Sequence, residues 1–301
     1  MEKLIKSNRI KGILCIIASA CGFAIMSAFI KMSGDLPSFQ KTFFRNLVAA
    51  LIALYLIIKH RGSLVGKKEN RKILVLRSIF GTIGIVCNYY AVDRLVLSDA
   101  NMLNKLSPFL VVVFCALFLK EKINLKQITM VTVAFIGALF IIKPSFNVEV
   151  IPYLVGIMGA VFAALAYTCV RVLGKKEDYY TIVFFFSTFS LIAILPGFLA
   201  VYKPMTITQL VYLILAGIFA SIGQFGITLA YKFAPAKEIS IYDYSGIICS
   251  AILGIVFFNE RPDIVSVFGY FVVFSAAFYM FLYNKNLDKT EANKPKNILE
   301  K

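Results

Sequence analysis

One stretch of this chain occurs twice, and this internal repeat constrains the fold more than any other feature. When the sequence is shifted by 139 positions, Ala230 to Glu260 lies on Ala91 to Glu121 without a gap. Both copies run from an alanine through a short polar joint into an apolar segment of helix length, and both end on a glutamate followed by a base. An internal repeat fixes the architecture in which every other motif is interpreted.

The composition excludes an ordinary soluble domain. The chain is 59% hydrophobic and 16% charged, with a mean hydropathy of +0.81, whereas soluble domains have roughly 45–50% apolar residues. A helix needs about 20 mostly apolar residues to cross roughly 30 Å of hydrocarbon. The sequence therefore predicts an all-α integral membrane protein with ten transmembrane helices, at residues 10–31, 38–59, 73–91, 97–119, 124–143, 150–171, 179–202, 207–231, 236–258 and 262–283.

The distribution of the basic residues predicts the orientation. If the N-terminus is cytoplasmic, most of the 32 lysines and arginines fall in inward-facing segments, including Arg77 near the cytoplasmic start of the third helix. Few lie in outward-facing joints, where Lys41 is expected to reach the outer interface. This asymmetry predicts that both termini are cytoplasmic. The net charge of +16 is therefore attributed to the bilayer surface, and nucleic acid is not expected as a partner.

The two repeated stretches belong to two halves of the chain, and each half contains five predicted helices. Because five is an odd number, the second copy must enter the membrane upside down relative to the first. The sequence therefore predicts two inverted five-helix repeats, at residues 10–143 and 150–283, followed by a cytoplasmic tail at 284–301. Inverted repeats place the substrate site near the bilayer midplane, at the interface between the repeats.

Polar side chains inside the predicted helices are the candidates for contact with a small-molecule substrate. The fourth helix carries three of them at helical spacing, and the second copy of the repeat places three more at equivalent positions. No catalytic residue, metal ligand or cofactor is predicted, because the six cysteines show no paired spacing and the single histidine, His60, lies in a loop. The predicted substrate-binding residues are Arg45, Tyr89, Asn101, Asn104, Lys105, Gln224, Ser240, Asp243 and Tyr244.

Arg45 lies about 10 Å inside the second helix, at a depth where a charge is costly and faces protein or a water-filled cavity. Two interpretations stay open for it. It either recognises an anion on the transport path or holds helices together by donating to backbone carbonyls. Together with Lys105, it is expected to create a positive zone that selects substrates carrying a carboxylate or a phosphate.

Asp243 is the only acid well inside a predicted span. Its backbone and that of Lys105 differ in depth by on the order of 10 Å, a gap that a lysine side chain largely bridges. The two either form a pair that ties the repeats together, or Asp243 binds a proton or the amino group of a zwitterionic substrate and pairs with Lys105 only in the empty cavity. Pro108 and Gly246 are expected to ease local bends in helices four and nine, which would let the two halves pivot.

The doubled blocks that end at Glu121 and Glu260, together with the sequence FFRN at residues 43–46, resemble the EamA type of the drug/metabolite transporter superfamily. The resemblance covers essentially the whole chain. It implies ten spans in two repeats, cytoplasmic termini, and a central cavity lined by helices one to four and six to nine. Members of that superfamily carry amino acids, other metabolites, nucleotide-related compounds or drugs, so the resemblance does not name a substrate. The chain departs from the common pattern at Lys105 and by having no tryptophan.

These observations together predict a secondary transporter of the plasma membrane. It would move a small polar or zwitterionic metabolite, amino-acid-like or nucleotide-related, across the inner membrane by alternating access. One alternative is an integral-membrane transferase, which would need a paired acid and base or a metal cluster, and the sequence shows neither. The other is a channel-like or other non-transporting membrane protein, for which a ring of like charges or a filter of small residues is expected, and neither is visible in the sequence. The sequence has no Walker motif, so ATP is not the direct energy source. The direction of transport, proton coupling and the oligomeric state stay open.

Overall fold

The computed structural model describes residues 2–120, 124–142, 150–173, 176–233 and 240–292, and within them the chain forms helices and no strand. Side chains are described for the same residues except 2–9, 119, 228, 231, 232, 240, 241 and 284–292. Short 3₁₀ helices cover Lys68–Asn70 and Ser240–Tyr244. The α-helices are α1 Glu2–Met32, α2 Ser38–His60, α3 Arg71–Arg94, α4 Leu97–Asn104, α5 Ser107–Leu119, α6 Leu125–Ile142, α7 Ile151–Leu173, α8 Tyr179–Ala200, α9 Ile207–Phe233, α10 Ser245–Phe258 and α11 Ile264–Ala292.

In the described part of the chain, nine helical stretches are long and apolar enough to cross a membrane. They coincide with nine of the ten predicted spans, and they confirm the prediction of an all-α integral membrane protein. The remaining span, predicted at residues 236–258, is described from residue 240 and contains a shorter apolar helix at Tyr242–Phe258. The tenth crossing and the cytoplasmic termini stay predictions.

The outward faces of the helices carry large apolar side chains. On α2, Leu51, Tyr55 and Ile58 are 58%, 62% and 69% exposed, whereas Ala49 and Ala53 on the opposite face are buried. A soluble protein would place polar residues on such an outward face. The reversed pattern is what a helix needs when lipid chains surround it, because hydrocarbon offers exposed polar groups no hydrogen bonds.

Among the described residues, the fourth and ninth predicted spans both depart from the regular α-helix at the same point of the repeat. The first copy breaks between α4 and α5, and Pro108 stands in the first turn of α5, where its missing N–H is not needed. In the second copy, the 3₁₀ helix Ser240–Tyr244 precedes α10. These departures from the α-helix lie next to Pro108 and Gly246, where bends that ease pivoting stay a prediction. Gly246 also lets α10 approach α1, because a Cβ at this position would lie 2.9 Å from the carbonyl oxygen of Ala20.

The helices pack in pairs that join the two halves of the chain. α1 packs along α9, α3 along α7, α2 against α8, and α6 against α11. Small residues allow this close approach: a Cβ added to Gly22 would lie 3.1 Å from the Gly223 nitrogen, and one added to Gly84 would lie 3.2 Å from the Ala163 nitrogen. Exchanging each helix with its counterpart in the other copy turns the α1–α9 pair into the α7–α3 pair, so this pattern of pairing is symmetric.

Glu260 is the last residue of the stretch that repeats Ala91 to Glu121, and it connects three segments. One carboxylate oxygen forms an ion pair with Lys31 at the end of α1, and the other accepts a hydrogen bond from the backbone N–H of Leu97, 2.9 Å away, at the start of α4. The first N–H groups of a helix have no partner within the helix, so this contact satisfies one of them. Lys31 also donates to the carbonyl oxygen of Leu95 at 2.5 Å. The equivalent residue of the first copy, Glu121, lies outside the described residues.

Replacing Glu260 with Gln removes the charge that Lys31 needs while keeping the size of the side chain. We expect the free energy of unfolding to fall by about 1–3 kcal/mol, the contribution of a hydrogen bond to a charged group. The measurement is thermal unfolding of the purified protein in detergent, followed by circular dichroism. Glu69→Gln, at an exposed position, is the matched control. Equal unfolding midpoints for the two variants would show that the Glu260 contacts do not stabilise the fold.

Candidate functional site

A lysine and an aspartate meet where the two interrupted helices come together. Lys105 directly follows α4, and Asp243 lies in the 3₁₀ helix before α10. Their Nζ and Oδ2 atoms are 2.5 Å apart, and their side chains are 16% and 17% exposed. The hydroxyl of Tyr244 donates to the carbonyl oxygen of Lys105 at 3.3 Å. Because Tyr244 is the repeat equivalent of Lys105, the two copies of the repeat contact each other at this pair.

Asn101 extends this polar cluster towards α1. Its Oδ1 accepts a hydrogen bond from the hydroxyl of Ser27 at 3.2 Å, and its Nδ2 donates to the carbonyl oxygen of Leu97 at 2.8 Å. The two hydrogen bonds fix the orientation of the amide. Asn104 follows on the same short helix and is half-buried. The end of α4 therefore carries two amides and is followed by the ammonium group that pairs with Asp243.

Two arginines from different helices lie beside one phenylalanine ring. The Cζ atom of Arg77 on α3 is 3.6 Å from the ring centroid of Phe186 on α8, and that of Arg45 on α2 is 5.8 Å from it. The arginines are only 4% and 2% exposed. A cation near the face of an aromatic ring is attracted by the ring's quadrupole. Arg45 also donates to Asn46 Oδ1 at 2.5 Å, and Asn46 donates in turn to the hydroxyl of Ser190 at 2.7 Å.

Two tyrosines lie near the charged clusters. Tyr167 on α7 interacts electrostatically with Asp243, Arg77 and Arg45. Tyr89 on α3 interacts with Arg45 in the same way, and its hydroxyl lies 3.4 Å from the sulfur of Met26. Tyr167 is therefore near enough to Asp243 and to the arginine pair to be influenced by the charges of both.

The sequence model of the EamA-like transporter family matches the chain twice, over residues 10–143 and 150–289. The chain belongs to the EamA-like transporter family. The resemblance to the EamA type of the drug/metabolite transporter superfamily is thereby confirmed.

Named relatives of this EamA-like transporter are similar over most of their length. The pseudopaline exporter CntI of Pseudomonas aeruginosa is 31% identical over 261 residues, which is 86% of this chain and 91% of the exporter. Human solute carrier family 35 member G1 is 26% identical over 267 residues, 83% of this chain and 73% of the carrier. The S-adenosylmethionine uptake transporter of Rickettsia bellii is 21% identical over 276 residues, 89% of this chain and 91% of the transporter.

A solved crystal structure shares the fold of this EamA-like transporter, with a TM-score of 0.66 at 15% sequence identity, over 92% of this chain and 98% of the other. Family and relatives establish that the protein is a transporter of small metabolites and not an enzyme. It is a multi-pass protein of the plasma membrane.

The structure divides the predicted substrate-binding residues of this EamA-like transporter into groups. One group gathers where the helices are interrupted, and it consists of Asn101, Asn104, Lys105, Asp243 and Tyr244. Arg45 and Tyr89 are buried in the arginine cluster. Gln224 is half-buried on α9. Ser240 begins the 3₁₀ helix, and its side chain lies outside those that are described. That these residues bind substrate stays a prediction.

The structure buries two basic residues. Arg77 lies within α3 beside Arg45, and its position on the cytoplasmic side stays a prediction. Lys41, expected at the outer interface, is fully buried, and its Nζ lies 2.5 Å from Asp93 Oδ1. The expectation for Lys41 is wrong because the sequence gives a residue's distance along a helix but not the face that meets another helix.

Phe186 carried no signal in the sequence. It is the last of three consecutive phenylalanines, and any of the three could have faced the interior. Gly81 was a usable signal for Arg77, because the two residues are four apart and therefore share a helix face.

Replacing Asp243 with Asn leaves the charge of Lys105 without its partner. We expect a loss of about 2–3 kcal/mol in the free energy of unfolding, below the usual range for a buried pair because both side chains keep some exposure. Adding Lys105→Met should restore most of the loss, since both charges are then absent. The measurement is denaturant unfolding in mixed micelles. Adding Lys59→Met instead, at an exposed position on α2, should restore nothing. If both second substitutions have the same effect, the pair does not hold the interior together.

Proposed function

We propose that this protein is a secondary transporter that moves a small polar or zwitterionic metabolite, amino-acid-like or nucleotide-related, across the inner membrane by alternating access. The observation that carries the proposal is the Lys105–Asp243 ion pair. Interrupted helices at corresponding positions of two repeats are the usual site of substrate and ion binding in secondary transporters. An ion pair at that position can open to accept a substrate and close again when the cavity is empty.

We place the two moving units at residues 10–143 and 150–283, as inverted repeats of five transmembrane helices, with the tail at 284–301 in the cytoplasm. The symmetric pairing of α1 with α9 and of α3 with α7 supports this arrangement, because a two-fold axis between inverted repeats exchanges these pairs. In such transporters one repeat rocks against the other around a fixed site. The interruptions near Pro108 and Gly246 are then positions where the helices can bend.

In this mechanism Asp243 changes partners during the cycle. Its carboxylate forms an ion pair with Lys105 in the structure, and we assign this pairing to the part of the cycle in which no substrate is bound. When a zwitterionic substrate enters, its amino group replaces the ammonium group of Lys105 at the carboxylate, and Asn101 and Asn104 are close enough along α4 to bind its polar atoms. A proton can take the place of the amino group at the carboxylate. Relatives are named as an exporter and as an uptake transporter, so the proposal covers both directions.

Replacing Asp243 with Asn tests the coupling role. The measurement is transport in proteoliposomes supplied with a radiolabelled pool of amino acids and nucleotides, with and without a proton gradient. The wild type should accumulate at least one compound against its gradient. The Asn variant should lose accumulation by about tenfold or more, since the charged contact is gone, and should keep some downhill exchange.

Asp263→Asn is the matched control for the Asp243 substitution. Asp263 is exposed, and its carboxylate accepts a hydrogen bond from the backbone N–H of Ser266 at 2.8 Å, a contact that Asn can replace. Accumulation by the Asp243→Asn variant equal to that of the control at every pH would show that this acid has no part in coupling.

The rocking motion predicts opposite changes at equivalent positions of the two repeats. Asn101→Cys and Ser240→Cys are introduced separately after the six native cysteines have been replaced by alanine. Labelling by a water-soluble maleimide should increase at one position and decrease at the other when the transporter changes from the inward-open to the outward-open state. Changes of the same sign at both positions would contradict rocking of one repeat against the other.

A further inference from the structure

Buried arginines and buried lysines of this bundle differ in whether a carboxylate neutralises their charge. The three ion pairs among the described residues each neutralise a lysine, and they are Lys31 with Glu260, Lys41 with Asp93, and Lys105 with Asp243. No carboxylate pairs with Arg45 or Arg77 in the part of the chain that the structure describes, although both are at least as buried as most of those lysines. A charge buried in a membrane protein normally has a partner. The two guanidinium groups therefore leave two positive charges without a counter-charge.

Hydrogen-bond donors of both arginines are also left unused. Within the described residues, Nε of Arg45 and Nε and Nη1 of Arg77 are fully buried and have no hydrogen-bond partner. Buried donors are almost always satisfied, and each exception needs an explanation. An arginine that only holds helices together would donate to backbone carbonyls, but Arg45 donates to the side chain of its neighbour Asn46 instead. The unused donors belong to two helices, so a group bound by both would lie between α2 and α3.

The chain keeps space free for these guanidinium groups. A Cβ added to Gly81 would lie 2.8 Å from Nη1 of Arg77 and 2.8 Å from a ring carbon of Phe186. Any side chain at this position would therefore displace the guanidinium or the ring. Phe186 is 1% exposed and supports Arg77 from one side at 3.6 Å. Its ring cannot neutralise a charge, so it fixes the position of Arg77 without using its donors.

We propose that Arg45 and Arg77 form the binding site for an oxyanion group of the transported substrate, a dicarboxylate or a phosphate that carries about two negative charges. This inference rests on the proposed function, to which it adds the substrate class. Planar guanidinium groups bind carboxylate and phosphate oxygens in pairs, which a lysine ammonium group does not do. Tyr167 interacts electrostatically with both arginines and with Asp243. In this proposal the oxyanion group binds at the arginines and the amino group of the same substrate binds at Asp243.

The test is equilibrium binding by the purified full-length protein in detergent. Thermal unfolding is followed by circular dichroism in a titration with sodium succinate and in a separate titration with sodium phosphate, each compared with sodium chloride at equal ionic strength. We expect one of the two oxyanions to raise the unfolding midpoint beyond the effect of chloride. The better of the two identifies the group as a carboxylate or a phosphate.

Arg45→Gln and Arg77→Gln should each weaken the apparent affinity for that oxyanion by about tenfold or more. Without an oxyanion, the Arg77→Gln variant should unfold at the same temperature as the wild type or a higher one, since an unpaired buried charge has been removed. A purely structural arginine would give a lower midpoint. Arg77→Lys keeps the charge and gives an intermediate affinity. Arg94→Gln is the matched control, because Arg94 stacks on Tyr90 at 3.8 Å but is exposed, and it should bind like the wild type.

Two results would overturn the inference: no stabilisation by either oxyanion beyond that by chloride, or stabilisation that both Gln variants retain. These results are separable from the failure of the proposed function. If a substrate without an oxyanion group accumulates in proteoliposomes equally in the wild type and in both Gln variants, the proposed transport function stands and the arginine binding site is contradicted. Oxyanion binding that depends on both arginines, without transport of any compound, leaves the site and removes the proposed mechanism.

Discussion

Lys105 and Asp243 neutralise each other at a place where the two halves of the chain touch, next to the contact between Lys105 and its repeat equivalent Tyr244. Burying either charge alone in an interior that excludes water would cost free energy. The attraction between the two charges offsets this cost only while both partners stay within hydrogen-bonding distance. The helix interruptions place the two side chains there, because backbone that leaves the α-helix is tolerated inside a membrane protein only where protein or a cavity surrounds it. The helix breaks, the charges and the contact between the halves therefore depend on one another.

The other buried basic residues discussed above fall into two classes, according to whether a carboxylate neutralises their charge. Lys41 is neutralised by Asp93 between α2 and α3, and Lys31 by Glu260 at the start of α4, so these pairs connect helices. The arginine cluster keeps its charge and its donors. A protein that only had to be stable would gain by pairing or removing such charges. The contrast separates residues that hold the bundle together from residues that are available to a ligand.

The fold alone does not select the substrate. A solved structure with 15% identity has the same architecture at a TM-score of 0.66, and relatives with different names match the chain over most of its length. Close helix packing through glycines such as Gly22 and Gly84 is independent of the substrate. Selectivity must come from the few polar side chains of the interior, since function resides in a site built on a shared fold.

The sequence by itself determined the membrane class, nine of the spans and the family, because hydropathy and an internal repeat are properties of the linear chain. Each helical residue rises by about 1.5 Å, so the sequence also predicted that the depths of Lys105 and Asp243 differ by about the length of one side chain. Only the tertiary structure decided that Arg77 is buried and that Lys41 reaches Asp93. Position along a helix gives depth, but the face that a residue turns inward is decided by helices that pack against it from distant parts of the chain.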